Sequence, residues 1–124
     1  MRVLVVDDSA AVSARLIALL RERGITADVA RNLEGARTLL EISPPDVVVL
    51  DLRIEGGSGL DLIDDVRARA PHATVIVLTN ETSPAHRHAC SRRGVRHFFD
   101  KSRDFERAIE LVAAQRATPD GPPR

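Results

Sequence analysis

The sequence predicts an α/β protein: a doubly wound sheet of five parallel strands, with five helices covering its two faces. Three observations point there. First, Val47-Val48-Val49-Leu50 is an unbroken apolar run, mostly β-branched, that ends at Asp51; a short run of this kind reads as a strand buried on both faces, the type found in parallel sheets. Second, Val3-Leu4-Val5-Val6 is a second such run, and it ends at Asp7-Asp8. Third, apolar stretches alternate with helical patterns along the whole chain, the sequence signature of strand-helix-strand crossovers. Numbering the strands along the chain, the order 2-1-3-4-5 places the two most apolar strands side by side at the topological switch point, where the carboxyl ends of strands bind ligands.

The elements follow in turn. Arg2 to Val6 is the first strand. Ser9 suits an N-cap, and Val12, Leu16, Leu19 and Leu20 recur at helical spacing until Gly24. Thr26 to Ala30 is a less apolar strand, expected near an edge. Asn32 caps a helix to about Ile42, with Leu33, Ala36, Leu39 and Leu40 inward. Pro44-Pro45 stops it, and the strand to Asp51 follows. Gly56, Gly57 and Gly59 predict a flexible loop to Ser58; it lacks the Gly-Lys-Ser/Thr ending of a phosphate cradle. Gly59 to Ala70 is a helix burying Leu60, Leu62, Ile63 and Val66, and Thr74 to Thr79 is the fourth strand. Ser83-Pro84 opens a helix to Arg93 whose only apolar residues are Ala85, Ala89 and Cys90, so it should be the least firmly docked. His86 and Cys90, four residues apart on it, lack a third ligand and read as surface residues rather than a zinc site. His97 to Asp100 is the fifth strand. The adjacent rings Phe98 and Phe99 require one to point into the core. Ser102 or Arg103 precedes the last helix, with Phe105, Ala108, Ile109 and Val112 inward. Residues 1–116 form the expected domain, and 117–124, rich in proline, a disordered tail.

Composition narrows the functional class. The chain has 124 residues, 44% apolar and 29% charged, with net charge zero. One domain with an aliphatic core is expected, and a dedicated nucleic-acid binder is not. A lone cysteine excludes an internal disulfide, and no apolar run has the length of a membrane span, so a cytoplasmic location is expected. Lys101 is the only lysine among 18 basic residues. In so arginine-rich a chain this suggests a position needing a compact, movable point charge rather than a rigid fork.

The strand order gathers Asp7, Asp8 and Asp51 at one end of the sheet. Three carboxylates there repel and call for a cation, and a few hard oxygens with room for water suit Mg2+. Thr79 and Lys101 end the fourth and fifth strands at the same rim. Metal, hydroxyl and ammonium together suit a phosphoryl group, and Asp51 can be the nucleophile that forms an acyl phosphate.

Asp7-Asp8, Asp51, Thr79 and Lys101, at the ends of four strands, with Phe98 three residues before Lys101, resemble the marks of the receiver domain of two-component response regulators, over about residues 2–116. The resemblance implies a flavodoxin-like fold and a stand-alone, chemotaxis-regulator-like signalling domain. Asp51 would be the phosphoacceptor. Asp8 would bind Mg2+ directly, Asp7 largely through water, and the backbone carbonyl of Arg53 would complete the set. Thr79 and Lys101 would hold phosphoryl oxygens, and Thr79 with Phe98 would switch a partner face as the helix from Pro84 shifts. The chain would catalyse its own phosphorylation and dephosphorylation without being an enzyme in the ordinary sense.

The implied partners are a sensor histidine kinase or a histidine phosphotransfer protein, docking near Arg15, Ile17 and Ala18, and a phosphorylation-dependent output protein. Neither nucleic acid nor membrane is an implied direct partner. The sequence departs from the family's pattern in places. Glu55 replaces a common proline, which predicts a mobile loop. Asn80 follows Thr79 where small residues are usual, narrowing access. Ser102 follows Lys101 where proline is common. Arg53 and Glu81 are expected to pair across the mouth of the site. Residues 84–103 carry six basic residues against Asp100, net +5, and read equally as a solvated face or as a basic partner surface. The competing functions are a phosphorelay intermediate, a phosphorylation-independent interaction module, and a Mg2+-dependent aspartyl phosphatase. The last usually carries two aspartates two residues apart on its first strand, a spacing that Asp7-Asp8-Ser9 lacks.

Overall fold

The structure, a computed structural model, describes residues 1–116; the expected tail, 117–124, lies outside the described residues. The order of elements is β1 (Val3–Val6), α1 (Ala10–Arg21), β2 (Ala27–Ala30), α2 (Leu33–Ile42), β3 (Val47–Leu50), β4 (Arg53–Ile54), β5 (Gly57–Ser58), α3 (Gly59–Arg69), β6 (Thr74–Thr79), α4 (Pro84–Arg92), β7 (His97–Asp100) and α5 (Phe105–Arg116). The main sheet is parallel with order β2-β1-β3-β6-β7. Setting aside the small ribbon β4–β5, this is the order 2-1-3-4-5 read from the sequence.

Strand alternation divides the core in two. Leu4, Val6, Val48, Leu50, Val75 and Val77 face α2, α3 and α4, and Val3, Val5, Val47, Val49, Ile76 and Leu78 face α1 and α5. Successive side chains of a strand point to opposite faces, so a strand covered on both sides must be apolar throughout. Every residue of β1 and β3 is buried, whereas β2, at the edge, leaves Val29 38% exposed.

Four local expectations are corrected. The segment after Asp51 is not a loose loop: Arg53 and Ile54 pair antiparallel with Ser58 and Gly57. Nor is Glu55 in a mobile stretch, because it bridges Asn32, and Leu33 donates its N–H to the Glu55 carbonyl at 3.0 Å. Cys90 is fully buried, the one buried residue of α4, because it lies on the stripe that meets the sheet beside Val95. Phe98 and Phe99 are both half-buried, one against each core layer, because adjacent strand residues face opposite sides and β7 is an edge strand.

Candidate functional site at the carboxyl edge of the sheet

The parallel register builds the site. Val6 pairs with Leu50, so Asp7 and Asp51, the next residue of each strand, are neighbours at the rim. Leu50 pairs with Val77, which brings Thr79 just past Asp51. Thr79 pairs with Asp100, and the Lys101 N–H donates to the Thr79 carbonyl at 2.9 Å. Backbone bonds fix both acids: the Asp51 N–H donates to the Val6 carbonyl and the Asp7 N–H to the Ala30 carbonyl, both at 3.1 Å.

Each Asp51 oxygen has its own donors. Thr79 Oγ1 donates to Oδ1 at 2.6 Å and the Arg53 backbone N–H to the same oxygen at 3.1 Å. Lys101 Nζ donates to Oδ2 at 2.6 Å. The same ammonium reaches Asp7 Oδ2 at 2.7 Å, so it bridges two buried carboxylates. Burial alone would pull the Lys101 ammonium down, but its hydrogen bonds and charge contacts with Asp51 and Asp7 prevail and hold it above the ordinary lysine value. Thr79 is completely buried and is itself oriented, since the Glu81 N–H donates to its Oγ1 at 3.0 Å. The Ser9 N–H donates to Asp7 Oδ1 at 2.8 Å.

The structure thus brings Asp7, Asp51, Thr79 and Lys101 into direct contact. The remaining expected residues lie at the rim. Asp8 is exposed and makes no polar contact among the described residues. Phe98 pairs with Val77 in the sheet and is half-buried, with the Arg87 guanidinium 4.6 Å from its ring centre. The expected Arg53–Glu81 pair is absent among the described residues: the bond that fixes the Glu81 N–H on Thr79 leaves the Glu81 carboxylate beside His86 of α4, 3.9 Å away. A cavity of about 140 Å3 lined by Asp51, Arg53, Thr79, Asn80 and Glu81 opens beside the Asp51 carboxylate.

One contributor escaped the sequence reading. At Gly59 a Cβ would lie 2.3 Å from the Asp51 carbonyl oxygen and 2.6 Å from Leu52 Cα. Only glycine lets α3 start against the backbone that carries Asp51. The available signal was a glycine directly after the N-cap Ser58, where helix propensity disfavours it.

The donor chemistry fits Mg2+. Asp7, Asp8 and Asp51 supply hard anionic oxygens, and the Arg53 backbone reaches the rim. Three carboxylates against one ammonium leave a charge near −2. Among the described residues no three acidic, histidine or cysteine side chains already converge as a metal-holding group; the Lys101 ammonium sits between Asp7 and Asp51 instead.

A parallel α/β sheet of order 2-1-3-4-5 whose carboxyl rim joins a buried aspartate to a hydroxyl, an ammonium and further acids defines the class of protein: a doubly wound domain with a polar site at its switch point. The comparisons specify it. The response regulator receiver domain family matches residues 3–113, so this chain belongs to that family. The photosynthetic apparatus regulatory protein RegA of Rhodobacter capsulatus is 28% identical over 120 residues, covering 97% of this chain and 65% of RegA. The chain therefore spans just under two thirds of the length of that relative. A response regulator receiver protein from Pseudomonas putida superposes with a TM-score of 0.83 at 36% identity, covering 91% of this chain and 95% of that one. A response regulator from Burkholderia pseudomallei, solved with a phosphorylated aspartic acid, a calcium ion and citrate, has a TM-score of 0.80 at 25% identity, covering 97% of this chain and 75% of that one. Among the described residues, no helix is long and apolar enough to cross a membrane.

Proposed function

We propose that this receiver domain accepts a phosphoryl group on Asp51 from a phosphohistidine of a sensor kinase or phosphotransfer protein, and that phosphorylation changes a partner-binding face. One observation carries the reading: the two oxygens of a buried Asp51 are held by different donors, Thr79 on Oδ1 and Lys101 on Oδ2, at 2.6 Å each. An Asp51 oxygen attacks phosphorus, the phosphorus–nitrogen bond breaks, and its electron pair returns to the imidazole. Charge then develops on the phosphoryl oxygens, and the hydroxyl and ammonium that hold Asp51 in the resting site turn from the carboxylate to meet it. Mg2+, held by Asp8, Asp7, Asp51 and the Arg53 carbonyl, would neutralise the anionic oxygens. The phosphorylated aspartate and bound calcium of the Burkholderia pseudomallei relative support this assignment.

Switching rests on contacts that begin at the same atoms. Thr79 Oγ1 leaves Asp51 to meet a phosphoryl oxygen, and the Glu81 N–H bound to it moves with it. The chain then continues through the Thr82 carbonyl, which accepts from Arg87 Nε at 3.2 Å, to the guanidinium lying on Phe98. Phe98 and α4 are therefore the elements that respond.

The test is incubation with Mg2+ and acetyl phosphate, followed by intact mass. A gain of one phosphoryl group that disappears in Asp51→Asn supports the reading. A folded chain that never gains it overturns the reading and leaves a phosphorylation-independent interaction module. Catalytic turnover of phosphorylated small molecules other than acetyl phosphate would indicate a phosphatase instead.

A further inference from the structure

Asn80 follows Thr79, and Ser102 follows Lys101. The residues directly after the two donors on Asp51 meet each other: Ser102 Oγ donates to Asn80 Oδ1 at 3.1 Å. Resting on the phosphoacceptor reading above, we propose that this pair is a clasp that holds one wall of the phosphoryl site and sets how fast water reaches the phosphoryl group.

The contact closes a ring. On the sheet side, the Lys101 N–H already binds the Thr79 carbonyl at 2.9 Å. With the clasp, the ends of β6 and β7 are joined twice, and both donor residues lie inside the loop so formed. The Ser102 side is rigid. The Ser102 N–H donates to Asp100 Oδ1 at 2.8 Å, the Asp104 N–H donates to the Asp100 carbonyl at 2.8 Å, and the Asp100 N–H donates to Asp104 Oδ2 at 3.1 Å. The two aspartates build the turn that presents the hydroxyl. The Asn80 side is held next door, where the Glu81 N–H is bound to Thr79 Oγ1. Asn80's own side chain has no other polar partner among the described residues.

Asn80 also lines the 140 Å3 cavity beside Asp51. The space is small and its wall is made by few side chains, so one of them changes where water can stand in it. Loss of the phosphoryl group needs a water in that space: its oxygen attacks phosphorus, the bond to Asp51 breaks, the electron pair returns to the carboxylate, and inorganic phosphate and a proton leave. With Oδ1 pinned, Asn80 restricts where that water stands. With Ser102's hydroxyl removed, the amide is tethered only by its backbone. Asn80 and Ser102 act through the space beside Thr79 and Lys101, so both are positioning residues.

The test uses Asn80→Ala, Ser102→Ala, the double variant and Ser102→Thr, all in the full chain. In the unphosphorylated protein, the side-chain amide NMR signals of Asn80 should shift in Ser102→Ala and return toward the parent position in Ser102→Thr, which keeps a hydroxyl. After acetyl phosphate treatment, intact mass should show each alanine variant losing its phosphoryl group about 3- to 10-fold faster than the parent, the range expected for one hydrogen bond. The double variant should be no faster than the faster single one, and Ser102→Thr should stay close to the parent. Additive acceleration, or a loss rate indifferent to Ser102, would overturn the clasp while leaving the phosphoacceptor reading intact. A chain that takes up no phosphoryl group overturns that reading, and the clasp's control over the site with it.

Discussion

Asp51 is set by its backbone as much as by its side-chain partners, and Gly59 carries the strictest requirement. Gly59→Ala would drive a methyl group into the Asp51 carbonyl and Leu52 Cα, both backbone atoms that no rotamer change can move aside. The expected cost is about 3 kcal/mol, at the upper end for overpacking, because the start of α3 or the end of β3 must shift. Urea unfolding of the variant measures it, and a loss below about 1 kcal/mol would show that the helix start relaxes freely. The same shift should slow phosphoryl uptake by acetyl phosphate even where the variant remains folded. Residues of this kind mark the limit of legibility. Asp7, Asp51 and Thr79 could be read because each ends an apolar run, and Lys101 because it is the only lysine of the chain and follows the last strand. Gly59 acts by having no side chain, and Asn80 and Ser102 matter through a contact between segments 22 residues apart, which no local pattern encodes.

At the scale of elements, burial decides what was legible. β1 and β3 announce themselves because a strand covered on both faces has no polar position to spend. The two-residue strands β4 and β5 have no period to read, and glycine there signals a turn as readily as a ribbon. α4 was correctly expected to have a thin apolar face, but Cys90 alone fills its buried position. Its remaining attachments are polar: Arg67 of α3 donates to the Arg93 and Gly94 carbonyls, Arg93 binds Asp64, and Arg87 covers Phe98. An element held this way should open well below the global unfolding free energy. Burial pushes the Cys90 thiol above its ordinary value, with Arg93 offsetting part of the effect, so the docked thiol is unreactive. Labelling Cys90 with a thiol reagent under native conditions therefore reports α4 undocking. It should proceed faster than global unfolding permits, and Arg87→Ala should accelerate it about 3- to 10-fold through loss of the cation–π contact. Labelling only at the rate of global unfolding would show that α4 is as firmly docked as the other helices. The α1–α5 seam offers a second reading at this scale. Arg23 binds Glu110 at 2.6 Å and, by that hydrogen bond first and its charge second, holds the Glu110 carboxyl below the usual glutamate value. A carboxylate with a lowered folded value contributes stability above about pH 4.3 that is lost as pH falls through the folded value. An NMR titration should place Glu110 below the ordinary glutamate value, and Arg23→Gln should return it there.

Across the whole molecule, folding concentrates like charges at one rim of the sheet. Folding brings Asp7 and Asp51 together and leaves Lys101 as their common counterion, 2.7 Å from Asp7, 2.6 Å from Asp51 and little exposed. The native state therefore carries a local repulsion that one ammonium relieves, with Asp8 outside that bridge. Lys101→Met removes the relief, and two buried carboxylates are left facing each other. The variant should lose about 2–3 kcal/mol in dilute buffer without divalent ions, somewhat less than a fully buried pair because the rim is partly solvated. A divalent cation can then take over the ammonium's work. Mg2+ should stabilise the parent by mass action, by about 1.4 kcal/mol at tenfold its dissociation constant, equivalent to a rise of roughly 5 °C in Tm for a domain of this size. The gain should be larger in Lys101→Met, where no ammonium competes for Asp7 and Asp51, and smaller in Asp8→Asn. Thermal unfolding of the three proteins with and without Mg2+ decides it. If Mg2+ raises Tm equally in all three, the cation binds elsewhere, and the carboxyl rim is an ion-paired structural cluster rather than a site prepared for a phosphoryl group.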